Sequence, residues 1–532
     1  MRYNKITIIC AAFLMLALTG CKKIVEVAPA NSLDEALSFS TPEKCLAAIN
    51  GVYDAAQSGF YAGGAVRGYP FGAANIEQGD MRGEDMHNNA TFYQITYEST
   101  YDPSTANNVY MWHTLYALIN RANLVREGCN AAVAAGILTP ALGLQYDAEC
   151  RFMRAWAHHE LLLNFCRPFN DNAGNNLGVT YRDTGINSID KINTALAYNR
   201  PRDLVSTCYT KMLNDLNIAE TNLPATKNTF RATKGAAIAL KMRLRMHMGD
   251  WSLATGVAFE ANKLISGTFP NYISPIGAFK LTTSPDGPFL NNNSEESMLS
   301  IKNDANDNPG VNGALPAMFG ALSVGGRGLV DISQVIWNNP YWRCDDLRRT
   351  LLTLPGTTTY YFTAKYKDVV SRTDAAPQIR YAEILLTQAE AYARNAPGVT
   401  VDLTAINYLN AVRNRSLPAA SLPGSIYTAA NFATKTDLVK AILFERRIEF
   451  LAEGRRWSDI HRLALDATYG IAGVPAKVAT LFNSLLATYN CATYPVPPTT
   501  LTLKPYTDYR FIWPIPSDET TSNPVQVQNP GY

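Results

Sequence analysis

Residues 444–463 read FERRIEFLAEGRRWSDIHRL and carry nine charges in twenty positions. On a helix, Glu445, Glu449 and Glu453 recur every four residues and form one acidic stripe. Five arginines against four acids leave the segment almost self-neutralising. A surface that follows nucleic-acid phosphates shows a basic excess, so we exclude nucleic acid as a partner. Because planar guanidinium groups suit pairing with carboxylates, we predict a structural helix that forms ion pairs.

The spacing of these charges also predicts which of them pair. Glu453 faces Arg456 three residues later, and Asp459 is within reach of Arg455 or Arg462. We expect these pairs to form along one continuous helix.

Composition and charge describe an ordinary globular protein. Of 532 residues, 47% are hydrophobic and 17% are charged, and the net charge is +2. A disordered chain would be less hydrophobic, and a nucleic-acid binder would be more basic. The charge balance therefore demands neither an acidic nor a basic partner.

The first 21 residues, MRYNKITIICAAFLMLALTGC, have the pattern of an export signal. A short positive start precedes an apolar run over 6–18, which is too short to span a bilayer as a helix. The stretch LTGC at 18–21 looks like a bacterial lipobox. We therefore predict a signal peptide over 1–20 and lipidation of Cys21, with anchoring by lipid and not by a membrane-spanning helix.

The cysteines exclude several kinds of chemistry. Nine are present, and Cys10 lies within the predicted signal peptide. The seven that follow Cys21 are Cys45, Cys129, Cys150, Cys166, Cys208, Cys344 and Cys491. No two of them have CxxC spacing, so neither a zinc site nor a redox pair is indicated. One or two disulfides are compatible with an exported protein, although we expect most of these cysteines to be buried free thiols.

Catalytic motifs fail on inspection, and we predict that the protein is not an enzyme. The stretch HHELLL at 158–163 begins like a zinc-binding HExxH motif, but Leu163 stands where the second histidine is needed. Glu295-Glu296 and Asp345-Asp346 are adjacent in sequence, and adjacent side chains diverge on either a helix or a strand. Neither pair is suited to face a sugar from both sides, as a glycosidase requires.

Cofactors are not predicted either. Residues 304–308 resemble the start of a calcium-binding EF-hand loop, but Pro309 replaces the glycine and Leu315 the bidentate glutamate. A structural calcium ion is compatible with this Asp- and Asn-rich loop, yet the motif is too weak to predict one.

Apolar residues at three and four spacing predict a mainly α-helical protein. A tight Gly249-Asp250 turn joins two such stretches, as in tetratricopeptide-like helical hairpins, and we predict a scaffold of that kind. Thr41-Pro42-Glu43 starts the first helix with a capping hydroxyl and a proline. The predicted helices cover about 41–57, 105–128, 144–166, 201–221, 233–248, 251–265, 377–395, 402–415 and 436–465.

Two regions lack helical periodicity, about 58–103 and about 266–375. Both are rich in Gly, Pro, Asn and aromatic residues, and eleven aromatic residues lie between Phe60 and Tyr116. Loops this long in a compact protein are usually functional or disordered, and these are too aromatic for disorder. We therefore predict one large loop-rich lobe that carries the ligand surface.

Several segments in one order resemble the SusD/RagB family of outer-membrane nutrient-binding lipoproteins. FERRIEFLAEGRRWSDIHRL resembles the signature helix of that family, and IRYAEILLTQAEAYA (379–393) with INYLNAVRNRS (406–416) resembles the helices before it. The closing WPIPSDETTSNPVQVQNPGY (513–532) is similar to the end of such proteins. The resemblance spans nearly the whole mature chain and implies a single domain over 21–532, with helical scaffold at about 41–57, 104–265 and 376–490.

The resemblance implies function by binding alone. It predicts a lipid-anchored glycan-binding protein on the outward face of a Gram-negative outer membrane. Such a protein captures oligosaccharides and passes them to a SusC-like TonB-dependent transporter. An oligopeptide-binding protein of the same fold is the alternative, and a surface glycoside hydrolase is a remote one.

In sugar-binding members an aromatic arc stacks on sugar faces, and nearby polar groups bind hydroxyls. The two aromatic regions supply the candidates for this arc. The predicted ligand-binding residues are Tyr69, Phe71, Asp85, Tyr97, Tyr101, Trp337, Asn338, Tyr341, Trp342 and Arg343.

Overall fold

A computed structural model describes residues 35–194 and 200–532. The predicted signal peptide over 1–20 and the predicted lipidation of Cys21 lie outside these residues. The longer helices of the described residues are α1 Pro42–Gln57, α2 Ala73–Met81, α3 Ala106–Ala134, α4 Pro140–Phe165, α5 Val205–Asn222, α6 Lys234–His247, α7 Tyr381–Asn395, α8 Leu403–Asn414, α9 Lys435–Glu449 and α10 Arg455–Leu463. The shorter ones are Glu35–Ser38, Gln94–Tyr97, Ile189–Asn193, Val257–Asn262, Leu315–Phe319, Gln334–Trp337, Arg348–Leu351 and Ser517–Ser522.

The mainly α-helical prediction is confirmed, and helix α1 begins where the sequence predicts. The Thr41 hydroxyl accepts a hydrogen bond from the Lys44 amide at 3.3 Å, and Pro42 occupies the first turn. Helices α3 and α4 are joined by only five residues and pack along each other as a hairpin, and α5 packs against α4. This layer of long helices is the frame of the molecule.

Three predicted helices differ from the structure. In 251–265 only Val257–Asn262 is helical, because the Asp250 carbonyl accepts from the Val257 amide at 2.8 Å and closes a loop first. Helix α7 is shorter than predicted, since 376–380 pairs as a strand. The helix predicted over 436–465 is two helices, α9 and α10.

The break between α9 and α10 is set by backbone geometry. Ala452 and Gly454 both have positive φ, at 63° and 73°. A Cβ on Gly454 would lie 2.8 Å from the Ile76 Cα, and one on Gly79 would lie 2.6 Å from the Gly454 carbonyl oxygen. The turn between the two helices therefore packs backbone to backbone against helix α2.

The strands of the described residues are short. They are β1 Met86–Asn88, β2 Ser266–Thr268, β3 Asn271–Ile273, β4 Ser297–Ile301, β5 Val330–Ile332, β6 Thr353–Pro355, β7 Tyr361–Thr363, β8 Ala376–Arg380, β9 Gly473–Val474 and β10 Lys504–Pro505. Four form an antiparallel sheet in the order β1-β5-β7-β6, and β2-β3, β4-β8 and β9-β10 form antiparallel pairs. In the sheet Met86 pairs with Ile332 and Asn88 with Val330, which joins the two loop-rich regions of the sequence.

The C-terminal part of the chain is less helical than predicted. Scaffold was expected up to residue 490, yet after Leu463 only single helical turns, such as Leu486–Thr488, precede residue 491. A disulfide between Cys344 and Cys491, with a Cα–Cα distance of 5.3 Å, ties this segment to the lobe. Among the described residues the other five cysteines are free and buried. Within the same residues, no helix is long and apolar enough to cross a membrane.

A set of buried ion pairs joins α9 to the lobe, and we call it the buried ion network. The Glu449 carboxylate accepts from Arg348 at 3.1 Å, from Arg380 at 2.9 Å and from Arg415 at 2.6 Å. The network consists of Glu296, Asp346, Arg348, Lys365, Arg380, Arg415, Glu445, Glu449 and Glu453. The prediction that this helix forms structural ion pairs is therefore confirmed.

The individual partners differ from the prediction in part. Glu453 does not pair with Arg456, because the break in the helix turns it towards Arg380, at 2.8 Å. Arg456 instead lies 2.6 Å from Glu84. The predicted pair of Asp459 with Arg462 is present at 2.7 Å.

Three buried histidines form a chain of neighbouring rings. The ring centres of His159 and His247 lie 4.8 Å apart, and those of His247 and His461 lie 6.3 Å apart. Neither ring nitrogen of His159 has a hydrogen-bond partner among the described residues. Burial lowers the pKa of all three imidazoles, that of His461 to about 4. The folded protein therefore keeps them neutral.

The first prediction uses two neighbouring acids with opposite environments. Glu296 is fully buried and accepts from Arg380 at 2.5 Å, whereas Glu295 is only partly buried and lies 3.1 Å from Lys280. We expect Glu296→Gln to lower the free energy of unfolding by about 3–5 kcal/mol, because removing one partner leaves buried charge uncompensated. Glu295→Gln should cost less than about 1 kcal/mol.

Urea denaturation of residues 22–532 at neutral pH, followed by circular dichroism, measures both losses. Equal losses in the two variants would contradict a stabilising role for the network.

The second prediction concerns how the stability of the fold changes at low pH. Histidines in the unfolded chain take up protons below a pH of about 6.5, whereas the buried ones do so only at lower pH. The contribution of these histidines to the free energy of unfolding is therefore fully present above pH 6.5, and it is lost as the pH drops towards 4. We expect His159→Phe to flatten this fall by up to about 1.4 kcal/mol per pH unit, since one titrating group is lost. The free energy of unfolding, measured across this range, should show it; an unchanged slope would contradict the account.

Candidate ligand-binding site

The aromatic candidates from the first loop-rich region are buried. Phe71 stacks on Trp156 with 3.7 Å between ring centres, and Tyr69 accepts a hydrogen bond from the Gln78 amide at 3.1 Å. Tyr97 donates to the Val478 carbonyl at 2.8 Å, and Tyr101 donates to the Arg510 carbonyl. Each is at most 3% exposed, so none presents a face to solvent.

Asp85 belongs to the ion pairs of the scaffold. It is buried, accepts from Arg447 at 2.9 Å and lies 3.5 Å from Arg456. Its charge is therefore used to hold the loop before strand β1 against helices α9 and α10.

The candidates from the second region are buried in part. Trp337 stacks on Tyr361 at 3.9 Å, and the Arg349 guanidinium donates to the carbonyls of Trp337 and Trp342 at 2.8 and 2.6 Å. Asn338 donates to the Thr488 carbonyl at 3.0 Å. All three predicted residues in this group, both tryptophans and Asn338, anchor the core of the lobe.

Tyr341 and Arg343 are the two predicted residues that remain partly exposed. Tyr341 stacks in parallel on Phe444 at 4.6 Å, and Arg343 is paired with Asp345 at 2.8 Å. Ligand contact by any of the ten residues stays a prediction. The expectation that they form an exposed arc is corrected, because eight of the ten are buried.

A different row of half-exposed aromatic and arginine side chains lies on the lobe, and we call it the aromatic–arginine ladder. It consists of Phe60, Tyr61, Arg67, Phe92, Tyr110 and Arg327. Phe60 is 41% exposed and meets Tyr110 edge to face at 6.2 Å, and Tyr110 contacts Tyr61 at 4.5 Å. The rings thus form one continuous cluster at the surface.

Arginines continue the row. The Cζ of Arg67 lies 4.2 Å from the ring centre of Tyr61 and 4.5 Å from that of Phe92. The Cζ of Arg327 lies 4.8 Å from the Phe92 ring centre. Guanidinium groups in these positions are attracted by the electron-rich ring faces.

Four parts of the chain position the ladder. Tyr110 is on helix α3, Phe92 follows strand β1, and Arg327 precedes β5, where its amide donates to the Ala317 carbonyl at 2.9 Å. The loop 58–68 carries the rest. Gly68 in this loop has φ of 72°, and a Cβ there would lie 2.5 Å from the Gly313 carbonyl oxygen, so glycine lets the two loop-rich regions touch.

Unpartnered polar groups lie beneath the ladder. Glu77 is fully buried, and neither of its carboxyl oxygens nor the Tyr93 hydroxyl has a hydrogen-bond partner among the described residues. Burial raises the pKa of Glu77 well above its usual value and so favours the uncharged form of this carboxyl.

The sequence alone does not single out the ladder residues, because they lie in the same aromatic-rich segments as the buried aromatic residues. All its rings lie in the aromatic-rich stretch that begins at Phe60. A usable signal was the setting of Phe60 and Tyr61 between Gly59 and Gly63-Gly64, since glycines favour turns and connecting segments run over the surface.

A cleft of about 510 Å³ lies beside the end of helix α1. Tyr53 and Phe230 line it with the amides of Asn50 and Asn228. Gln57, at the end of α1, also lines the cleft and donates to the carbonyls of Lys302 and Asp307. Loop 58–68 follows it directly in the sequence.

Side chains that could bind a metal ion are dispersed in the described ranges, 35–194 and 200–532. Within them no group of three or more His, Cys, Asp or Glu side chains is placed to hold a metal ion. His158 of the HHELLL stretch is buried against Tyr181, 3.8 Å away between ring centres. In the loop considered for calcium, the Asp304 carboxylate accepts from the amides of Asn306 and Asp307, both at 3.0 Å, and thus closes a turn.

Known proteins match the chain over most of its length. A family model described as SusD family matches residues 353–532, and one described as starch-binding and associating with the outer membrane matches residues 28–246. The SusD-like protein P38 of Formosa agariphila is 24% identical over 501 residues, which cover 84% of this chain and 88% of that protein.

Solved structures share the fold. A SusD superfamily protein from Bacteroides fragilis is 23% identical with a TM-score of 0.73, covering 92% of this chain and 99% of that one. Surface glycan-binding protein A from Bacteroides thetaiotaomicron, solved with laminarihexaose, is 18% identical with a TM-score of 0.65 and the same coverage. Because the two family models together span well over half of the sequence, the chain belongs to the SusD family.

Proposed function

We propose that this protein captures glycans at the cell surface and delivers them to a SusC-like TonB-dependent transporter. The observation that carries the proposal is the aromatic–arginine ladder, a surface of half-exposed rings with hydrogen-bond donors between them. The apolar C–H faces of sugars pack on aromatic rings, while N–H groups bind ring oxygens and hydroxyls. The glycan complex of a structural relative is consistent with this use of the fold.

Within the ladder, Phe60 is the natural platform for a sugar. It is the most exposed ring of the cluster, and Tyr110 supports it from below at 6.2 Å. Arg67 lies on the same surface and supplies N–H donors. The arrangement is open and shallow, which suits a long chain that is held at several sugars.

The two pairs of adjacent acidic residues, 295–296 and 345–346, are not arranged like the catalytic carboxyls of a glycosidase. Glu296 is buried in the ion network while Glu295, only partly buried, pairs with Lys280, and Asp346 pairs with buried Arg348 while Asp345 pairs with Arg343. Each adjacent pair is thus split between different environments. The two carboxyls of a glycosidase must flank one bond, so we propose that the protein is not an enzyme.

The place of action follows from the resemblance and from the matched family. We propose that Cys21 is lipidated after removal of residues 1–20 and that the protein is anchored on the outward face of the outer membrane. The description of one matched family model, associating with the outer membrane, supports this location. A large oligosaccharide bound there needs a transporter in order to enter the cell, which is the role we assign to the SusC-like partner.

The third prediction compares two phenylalanines of equal exposure. Phe60 in the ladder and Phe259 on the helix Val257–Asn262 are each 41% exposed. We expect Phe60→Ala to weaken glycan binding about ten- to a hundredfold, since a stacking ring of this size contributes about 1.5–3 kcal/mol. Phe259→Ala should leave binding unchanged.

Native gels that contain a panel of polysaccharides, followed by calorimetry with matching oligosaccharides and a peptide digest, provide the measurement. Equal binding by both variants would remove the ladder from the site. Heat with peptides and none with any glycan would assign the protein to the oligopeptide-binding alternative.

A further inference from the structure

The arginines of the ladder differ from most arginines of this protein in having no acid beside them. Among the described residues, neither Arg67 nor Arg327 forms an ion pair. The Arg67 guanidinium also has no hydrogen-bond acceptor there, and its buried Nε is without a partner. Arg327 donates to the Asn312 amide oxygen at 2.5 Å and contacts the Met318 sulfur at 3.5 Å. Both charges are therefore uncompensated.

The carboxyl nearest to these charges does not neutralise them. Glu77 is close enough to Arg327 for the guanidinium to oppose the rise in its pKa, yet burial dominates and Asp80 adds to it. Burial therefore favours the protonated form of Glu77, which carries no charge to oppose a guanidinium. The other groups around it, Tyr69 and Tyr93, are neutral phenols because burial raises the pKa of both. The ladder carries a net positive charge as a result.

The rings also decide which part of Arg67 is available. Its guanidinium lies over both Tyr61 and Phe92, so the rings occupy part of its surroundings, and its N–H groups have no acceptor among the described residues. The edges of aromatic rings are the positive part of their charge distribution. The N–H groups of a guanidinium lie in one plane, and their fork matches the paired oxygens of a carboxylate or a sulfate.

A neutral sugar would leave this charge unused. A charged group that loses water without an opposing charge costs free energy, whereas a charge-assisted hydrogen bond to an anion is shorter and roughly twice as strong as a neutral one. The arrangement of Arg67 and Arg327 therefore favours an anionic ligand over a neutral one on the same rings.

We propose that the ligand of the ladder is an acidic glycan, bearing carboxylate or sulfate groups, whose anionic oxygens bind the guanidinium of Arg67 with Arg327 beside it. This inference rests on the proposed function and narrows it from glycans in general to those with negative charge. Carboxylates and sulfate esters share the chemistry, and the experiment below separates them.

The fourth prediction uses polysaccharides that differ only in charge. Residues 22–532 are tested by affinity gels and calorimetry with polygalacturonate and its methyl ester, and with a sulfated galactan and its desulfated form. We expect at least tenfold tighter binding to a charged polymer than to its uncharged counterpart, and binding that weakens as salt rises. Preference for polygalacturonate identifies carboxylate as the anion, and preference for the sulfated galactan identifies sulfate.

Variants test the residue. Arg67→Gln should abolish the preference for charge, and Arg67→Lys should restore it only in part, because lysine keeps the charge but not the planar fork. Arg510→Gln is the matched control, since Arg510 is also partly exposed but is paired with Asp508 at 2.6 Å outside the ladder. The control should bind as the unchanged protein does.

The failures are distinguishable. Equal binding of charged and uncharged forms, unaffected by Arg67→Gln, overturns the inference and leaves glycan capture in place. An equal loss in Arg67→Gln and Arg510→Gln also overturns it, because attraction would then come from the whole surface. Binding of an acidic peptide and of no polysaccharide overturns both the inference and the proposed function.

Discussion

One carboxylate, that of Glu449, holds the architecture together. It accepts hydrogen bonds from three arginines that are far apart in sequence, Arg348, Arg380 and Arg415. These arginines come from the lobe, from the start of helix α7 and from the end of helix α8. Because all four groups are buried, each depends on the others for compensation, and the segments that carry them cannot separate without a large cost. The charge-rich segment is thus the junction between scaffold and lobe.

The same junction supports the ligand surface. The turn between α9 and α10 packs on α2 through Gly454 and Gly79, and α2 carries Glu77 beneath the ladder. Arg447 of α9 and Arg456 of α10 hold the loop before β1 through Glu84 and Asp85. Strand β1 then leads to Phe92. A binding surface made of loops is in this way fixed by rigid elements, which limits the entropy lost when a ligand binds.

The sequence predicts the helical part of this structure well and the site poorly, for physical reasons. Periodic apolar positions show which face of a helix is buried, so α1, α4 and α8 were expected close to their observed bounds. The break after α9 was not expected, since a single glycine such as Gly454 is tolerated within a helical pattern and does not by itself predict a left-handed turn.

In the loop-rich lobe no period relates one side chain to the next, and burial therefore cannot be read from spacing. Trp337 and Trp342 were chosen for the ligand surface because large rings stack well on sugars. The same size makes them good core residues, and the structure uses them there. The unpaired state of Arg67 depends on contacts between distant loops, which no local pattern reports. The family resemblance predicted that a binding surface exists, but not which residues form it.

The most direct test of this account is a crystal structure of residues 22–532 with a bound acidic oligosaccharide. We predict a sugar packed on Phe60, with an anionic group within hydrogen-bonding distance of the Arg67 guanidinium. A sugar bound in the cleft beside helix α1, or at Tyr341 and Arg343, with the ladder bare, would contradict it.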